Sequence, residues 1–157
     1  MTIQVQVPKF IPGDYDVFAG LDVDKRSMSV VFADHDGSQR ALRMAHQAGP
    51  LLNYVRKHYP GQRVAFAYEA GPTGFGLHDE LVRQAYTCVV AAPSKVPRAP
   101  SERVKTNRLD SRKLAESLRG GQLQGIHVPP VIYRDLHHLV QLRDTHVRQL
   151  LVVLARA

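Results

Sequence analysis

Val17-Phe18-Ala19-Gly20-Leu21-Asp22-Val23 is an apolar run broken by one carboxylate near its C-terminal end. Its length and composition predict a central β-strand. Met28 to Ala33 predicts a second strand, and Asp34-His35-Asp36-Gly37 is a turn signal. Gln39 to Ala45 then predicts a third strand that closes an antiparallel hairpin. Pro50 opens a helical pattern that stops at Pro60-Gly61, following the preference for Pro early in a helix and Pro or Gly after it. Arg63 to Tyr68 predicts a fourth strand, Phe75 to Gln84 a helix, and Tyr86 to Ala92 a fifth strand. Pro93 to Lys105, rich in proline and basic residues, predicts an exposed loop. A helix is expected over Asn107 to Arg119, stopped by Gly120-Gly121, and a long helix from Pro129-Pro130 to the last residue.

The chain has 157 residues, which suits one domain with an appendage. The expected division is a loose leader (1–16), a catalytic domain (17–128) and the start of a helical connector (129–157). Three strands in a meander, followed by strands alternating with helices, predict a mixed α/β sheet. That order matches the ribonuclease-H-like architecture.

The chain holds 21 Lys and Arg against 14 Asp and Glu, a formal charge of +7, which favours a polyanionic partner. Its single cysteine, Cys88, excludes an internal disulfide and a cysteine-rich zinc site, and reads as a small core residue. No apolar run reaches the ~20 residues that span a bilayer. No signal peptide is recognisable, so a reducing cytoplasmic compartment is the expectation.

Three acids stand out. Asp22 is embedded among apolar residues, where a lone carboxylate is costly to desolvate. Asp24, two residues on, reads as a solvated strand-end residue. Glu69 closes the strand-like Val64-Ala-Phe-Ala-Tyr68 and precedes Ala70-Gly71-Pro72-Thr73-Gly74. Open α/β sheets place ligand groups at such a strand end. On the predicted helix, Asn107, Asp110, Leu114 and Leu118 fall within about 80° of one another at 100° per residue. Asp110 therefore continues the stripe that docks on the sheet, while Arg108, Arg112 and Arg119 face outward. Oxygen ligands converging from three elements suit Mg²⁺ or Mn²⁺, and paired ions of that kind drive in-line phosphodiester displacement. Lys95, Arg98, Arg103, Lys105, Arg108 and Arg112 would hold nucleic-acid backbone. Lys25 reads equally as a phosphate contact or a solvated charge. The eight histidines form no dense ligand cluster and read as surface groups.

Gly20-Leu-Asp22-Val-Asp-Lys25, Glu69-Ala-Gly-Pro-Thr-Gly74 and Lys105-Thr-Asn107-Arg-Leu-Asp110-Ser-Arg-Lys-Leu-Ala115 together resemble the N-terminal DEDD domain of the "one-ten" group of insertion-sequence transposases, relatives of the pilin-gene DNA invertases. The resemblance implies a RuvC-like domain that acts on DNA through divalent metal. Its four-acid set would fall on Asp22, Glu69, position 107 and Asp110. Position 107 departs from the pattern: Asn107 offers an amide oxygen and no charge. The resemblance also implies a structured guide RNA, a second domain with a serine nucleophile, and dimer contacts through the final helix. A piece of this size is expected to be incomplete for recombination. The rival readings are a non-catalytic nucleic-acid-binding and assembly module, and a RuvC-like junction nuclease.

Overall fold

The computed structural model describes residues 6–92 and 110–156. The chain divides into two compact units, residues 1–127 and 128–157.

The first unit is built on a five-stranded sheet. β1 (Val17–Val23), β2 (Ser27–Asp34) and β3 (Gln39–Ala45) form the meander. Helix α1 (Ala48–His58), β4 (Val64–Glu69), α2 (Gly76–Arg83), β5 (Thr87–Ala91) and α3 (Ser111–Arg119) follow. The spatial order is β3-β2-β1-β4-β5. β1 runs antiparallel to β2 and parallel to β4, while β5 is parallel to β4. This is the α/β, ribonuclease-H-like mixed sheet with flanking helices that the element order predicts. β1 is central, and Val17, Phe18, Ala19 and Leu21 are fully buried, as a continuous apolar run requires when both faces are covered.

The two faces differ. On one, α3 packs against Phe18, Ala65, Ala67 and Ala91 through Leu114 and Leu118. On the other, Phe32 stacks on Tyr54 of α1 with ring centroids 5.3 Å apart, within the range of aromatic pairs. Phe66, Tyr68, Leu51 and Leu81 are also fully buried there.

Some boundaries moved for identifiable reasons. α1 begins at Ala48, two residues before Pro50. The first four N–H groups of a helix have no intrahelical acceptor, so a proline in the first turn sacrifices nothing. α3 ends in a Schellman-type turn: Gln122 N donates to Ser117 O at 2.9 Å, and Gly121 adopts φ +68°. The expected leader is not loose over Phe10 to Asp16. Phe10 stacks on Tyr15 and packs edge-on against Phe18, and Tyr15 Oη hydrogen-bonds Thr87 Oγ1 at 2.7 Å. The Asp16 carboxylate accepts from both the backbone and the guanidinium of Arg63, which holds its pKa below the ordinary carboxylate value.

The second unit contains α4 (Val131–Ala155), in which no residue is buried. Tyr133, Val140, Val147 and Leu154 recur at intervals of seven, with Leu136 and Leu150 between them, and all are exposed. That is a heptad stripe broken by Arg143. No helix among the described residues is long and apolar enough to cross a membrane.

Candidate metal centre

Side chains alternate along a strand, so Phe18, Gly20 and Asp22 share the face that α3 covers. Their register partners on β2 are Ala33, Val31 and Ser29. On β4, Phe18 pairs with Ala65 and Gly20 with Ala67. The parallel register runs as far as Leu21 opposite Tyr68. Its next step sets Asp22 beside Glu69, on the same face and at the C-terminal end of both strands.

The two acids are partly buried, and one oxygen of each, Asp22 Oδ1 and Glu69 Oε1, is shielded from solvent. Shielded carboxylate oxygens on two neighbouring strand ends are hard donors, the chemistry that suits a divalent cation of the Mg²⁺ type. The loop after Glu69 is anchored from beneath, because Tyr68 Oη donates to Gly74 O at 3.1 Å.

Gly20 is what lets α3 approach. A Cβ there would collide with the Ser111 carbonyl oxygen and lie 2.5 Å from the Ala115 amide nitrogen. The start of α3 is therefore pressed onto β1 two residues before Asp22. Asp110, one residue before Ser111, stands at that junction. It is not a residue of the first turn, as the sequence predicts, but the N-cap: its Oδ1 accepts from Lys113 N at 2.9 Å, and the residue is exposed. Its carboxylate is turned back onto its own helix. Among the described residues, no three His, Cys, Asp or Glu side chains converge closely enough to hold a metal ion. The structure thus assembles a pair with a third acid adjacent, rather than a closed trio.

The other expected residues scatter. Lys25 is exposed in the β1–β2 turn, beside Asp24, whose N–H donates to Ser27 O at 2.8 Å. Arg112 is exposed on α3. Arg119 does not face fully outward: its Nε is buried, and Nη1 donates to His35 O at 3.2 Å. Asn107, Lys95, Arg98, Arg103, Lys105 and Arg108 lie outside the described residues. Desolvation pushes the thiol of the half-buried Cys88 well above its ordinary range, which fits an inert rather than a reactive cysteine.

Two surface clefts lie away from the acids. One, of about 370 Å³, sits between the starts of α1 and α2 (His46, Gly49, Thr73, Gly76). The other, of about 190 Å³, is bordered by Arg40, His58 and Tyr59. The carboxylate pair lies instead where β1 and β4 end, and lines neither cleft.

Arg43 and Ser29 escaped the sequence reading. Both stand in the same cross-strand row as Asp22. Only the strand register reveals that, and a register follows from the meander once β2 and β3 are aligned on their turn.

Residues 19–156 match the model of a family described as a transposase, the DEDD transposase of the IS110 group. A putative transposase of Sinorhizobium fredii is 35% identical over 87% of this chain and 36% of its own length. The transposase for insertion sequence element IS1533 of Leptospira borgpetersenii is 26% identical over 68% of this chain and 32% of its own length. The chain spans about a third of the length of these curated relatives.

Proposed function

Because the chain belongs to the DEDD transposase family of the IS110 group, we propose that it forms the metal-dependent domain of a DNA transposase, acting on phosphodiester bonds. The observation that carries this reading is the placement of Asp22 and Glu69 in one row, at the end of two parallel strands and beside the N-terminus of α3.

In this reading Asp22 and Glu69 hold a Mg²⁺ or Mn²⁺ ion through their carboxylates. Asp110 supplies a third carboxylate when its side chain leaves Lys113 N, and Asn107 contributes at most a neutral amide oxygen. A bound divalent cation would supply Lewis-acid polarisation of the phosphodiester and a more acidic attacking oxygen. The remaining work is positioning. α3, seated on Gly20, keeps Asp110 next to the pair, and Tyr68 fixes the loop that leaves Glu69. Lys25, Arg112 and the basic stretch containing Lys95, Arg98, Arg103, Lys105 and Arg108 hold the backbone of DNA or of a structured guide RNA. The catalytic domain spans residues 17–128. Residues 129–157 begin a connector whose heptad stripe pairs with a second copy.

A second reading is favoured by one observation, the absence of a converged trio among the described residues. It keeps the fold but makes the chain a nucleic-acid-binding and assembly module without turnover.

Calorimetric titration with Mn²⁺ separates the two. Saturable binding that disappears in both Asp22→Ala and Glu69→Ala is the expected result. Wild-type chain that takes up no Mn²⁺, yet binds DNA normally, would instead establish the assembly module. For binding through about six phosphates, log K on duplex DNA should fall with log[salt] at a slope of about −5.

A further inference from the structure

We infer that Arg43, with Ser29 beside it, extends the metal edge into a track for the nucleic-acid backbone, Arg43 being a substrate-positioning residue that holds a phosphate adjacent to the one placed at the acids. This rests on the reading of Asp22 and Glu69 as the metal pair.

Asp22 pairs with Ser29, and Ser29 pairs with Arg43. With the step from Asp22 to Glu69 already made, one row across four strands reads Arg43, Ser29, Asp22, Glu69. Directly paired residues share a face, so all four project on the side that α3 covers. α3 does not shield the outer part of that row: Arg43 is exposed and Ser29 half-exposed. A strand spacing of 4.7–4.9 Å puts the Arg43 backbone roughly 10 Å from that of Asp22.

The side chain is also aimed. Arg43 Nη2 donates to Ser27 Oγ at 2.8 Å. Ser27 pairs with Ala45, one step nearer the edge where β1 and β4 end, so the guanidinium leans toward the acids' end of the sheet. The salt bridges formed by the described residues do not include Arg43. A guanidinium held by a neutral hydroxyl keeps donors for a phosphate, which it binds as a planar fork. Along a strand whose phosphates are spaced 3.4 Å apart in helix rise, a 10 Å offset less the reach of an arginine side chain is about one or two nucleotides.

Its face distinguishes Arg43 from the other basic residues of this edge. Arg40, three residues earlier, pairs with Phe32 and donates to Tyr54 Oη at 3.4 Å, which places it on the opposite side of the sheet. Arg56 lies on α1 and reaches Gln84. These two serve as internal controls of equal charge.

The test is binding of the 157-residue chain to a duplex DNA oligonucleotide, with and without Mn²⁺, across a salt series. Arg43→Gln should weaken binding about five-fold in Mn²⁺ and reduce the magnitude of the salt slope by about 0.9, the signature of one lost phosphate contact. Without Mn²⁺, or in an Asp22→Asn background, the same substitution should cost little, because the strand is no longer held in register with Arg43. Arg43→Lys should restore the salt slope but only part of the affinity, because an ammonium keeps the charge and loses the planar fork, and Arg56→Gln should show no dependence on Mn²⁺. A loss from Arg43→Gln of equal size with and without Mn²⁺, or no loss at all, would overturn the inference while leaving the metal pair standing. Failure of the chain to bind Mn²⁺ through Asp22 would overturn both, and the calorimetric titration identifies that case separately. Thermal melting of Arg43→Gln, an exposed edge position, should match wild type.

Discussion

The two faces of the sheet are built from different materials. Beneath α1 and α2 lie Phe32, Phe66 and Tyr68, large side chains at full burial. Beneath α3 the strands present mostly small residues, Gly20, Ala33, Ala65, Ala67 and Ala91, beside Val31 and the larger Phe18. The first face carries stability through volume. The second gives up volume so that a helix can come within backbone distance of β1, and that closeness seats the start of α3, which Asp110 caps, against Gly20. Asp22 and Glu69 stand at the end of this face, where β1 and β4 finish.

The sharpest way to break this contrast is to damage each face separately. Phe66→Ala, on the thick face, should cost about 3–5 kcal/mol in urea denaturation, while the fraction that stays folded keeps its Mn²⁺ affinity. Loss of Mn²⁺ binding in that folded fraction would mean that the faces are not functionally separate. Gly20→Ala should cost about 1–3 kcal/mol, because the new methyl meets the Ser111 and Ala115 backbone rather than a yielding side chain. In this case Mn²⁺ binding should fall too, since α3 must move. A variant with wild-type stability and wild-type Mn²⁺ affinity would contradict the close approach.

Asp110 allows a finer cut. Asp110→Ala removes the N-cap and should cost about 1 kcal/mol. Asp110→Asn keeps the cap, because Asn and Asp cap comparably, but removes the charge. A drop in Mn²⁺ affinity shared by both variants, with lost stability only in Asp110→Ala, assigns the carboxylate its two roles. Identical Mn²⁺ affinity in Asp110→Asn and wild type would reduce it to a cap. The smallest effect is expected at Asp16, exposed and paired with Arg63. Its folded pKa is depressed, so its contribution is present above the unfolded carboxylate pKa and lost as pH falls through the lowered folded value. Asp16→Asn should therefore melt slightly below wild type at neutral pH, and the difference should vanish in strong acid.

Much of the architecture was legible because it rests on local signals. Apolar runs of strand length, the Asp34–Gly37 turn, and Gly120-Gly121 after α3 mark the strands and the end of α3 within a residue or two, whereas α3 begins at Ser111, four residues after its expected start. The identities of Asp22 and Glu69 as site candidates were legible for the same reason: a carboxylate closing an apolar run is visible in one dimension. Asp110 was only half legible. Periodicity put it on the docking stripe, but capping competes with that role, and the side chain is engaged with Lys113 N. Arg119 illustrates the other failure. A helical wheel sends it outward, yet the turn after β2 comes within reach and its guanidinium donates to His35 O. Phe10 to Asp16 gave no periodic signal, because they are held by single aromatic and polar contacts made to distant strands.

By itself, then, the chain's order of residues settled which segments are strands or helices and which acids end them, since those depend on neighbours a few positions apart. Tertiary structure alone decided what stands beside what. Glu69 reaches Asp22 because β4 pairs in parallel with β1, and Arg43 joins their row because two antiparallel registers happen to align. Those pairings are fixed by burial of whole faces across residues far apart in the chain, a sum over many contacts that no single stretch of sequence displays.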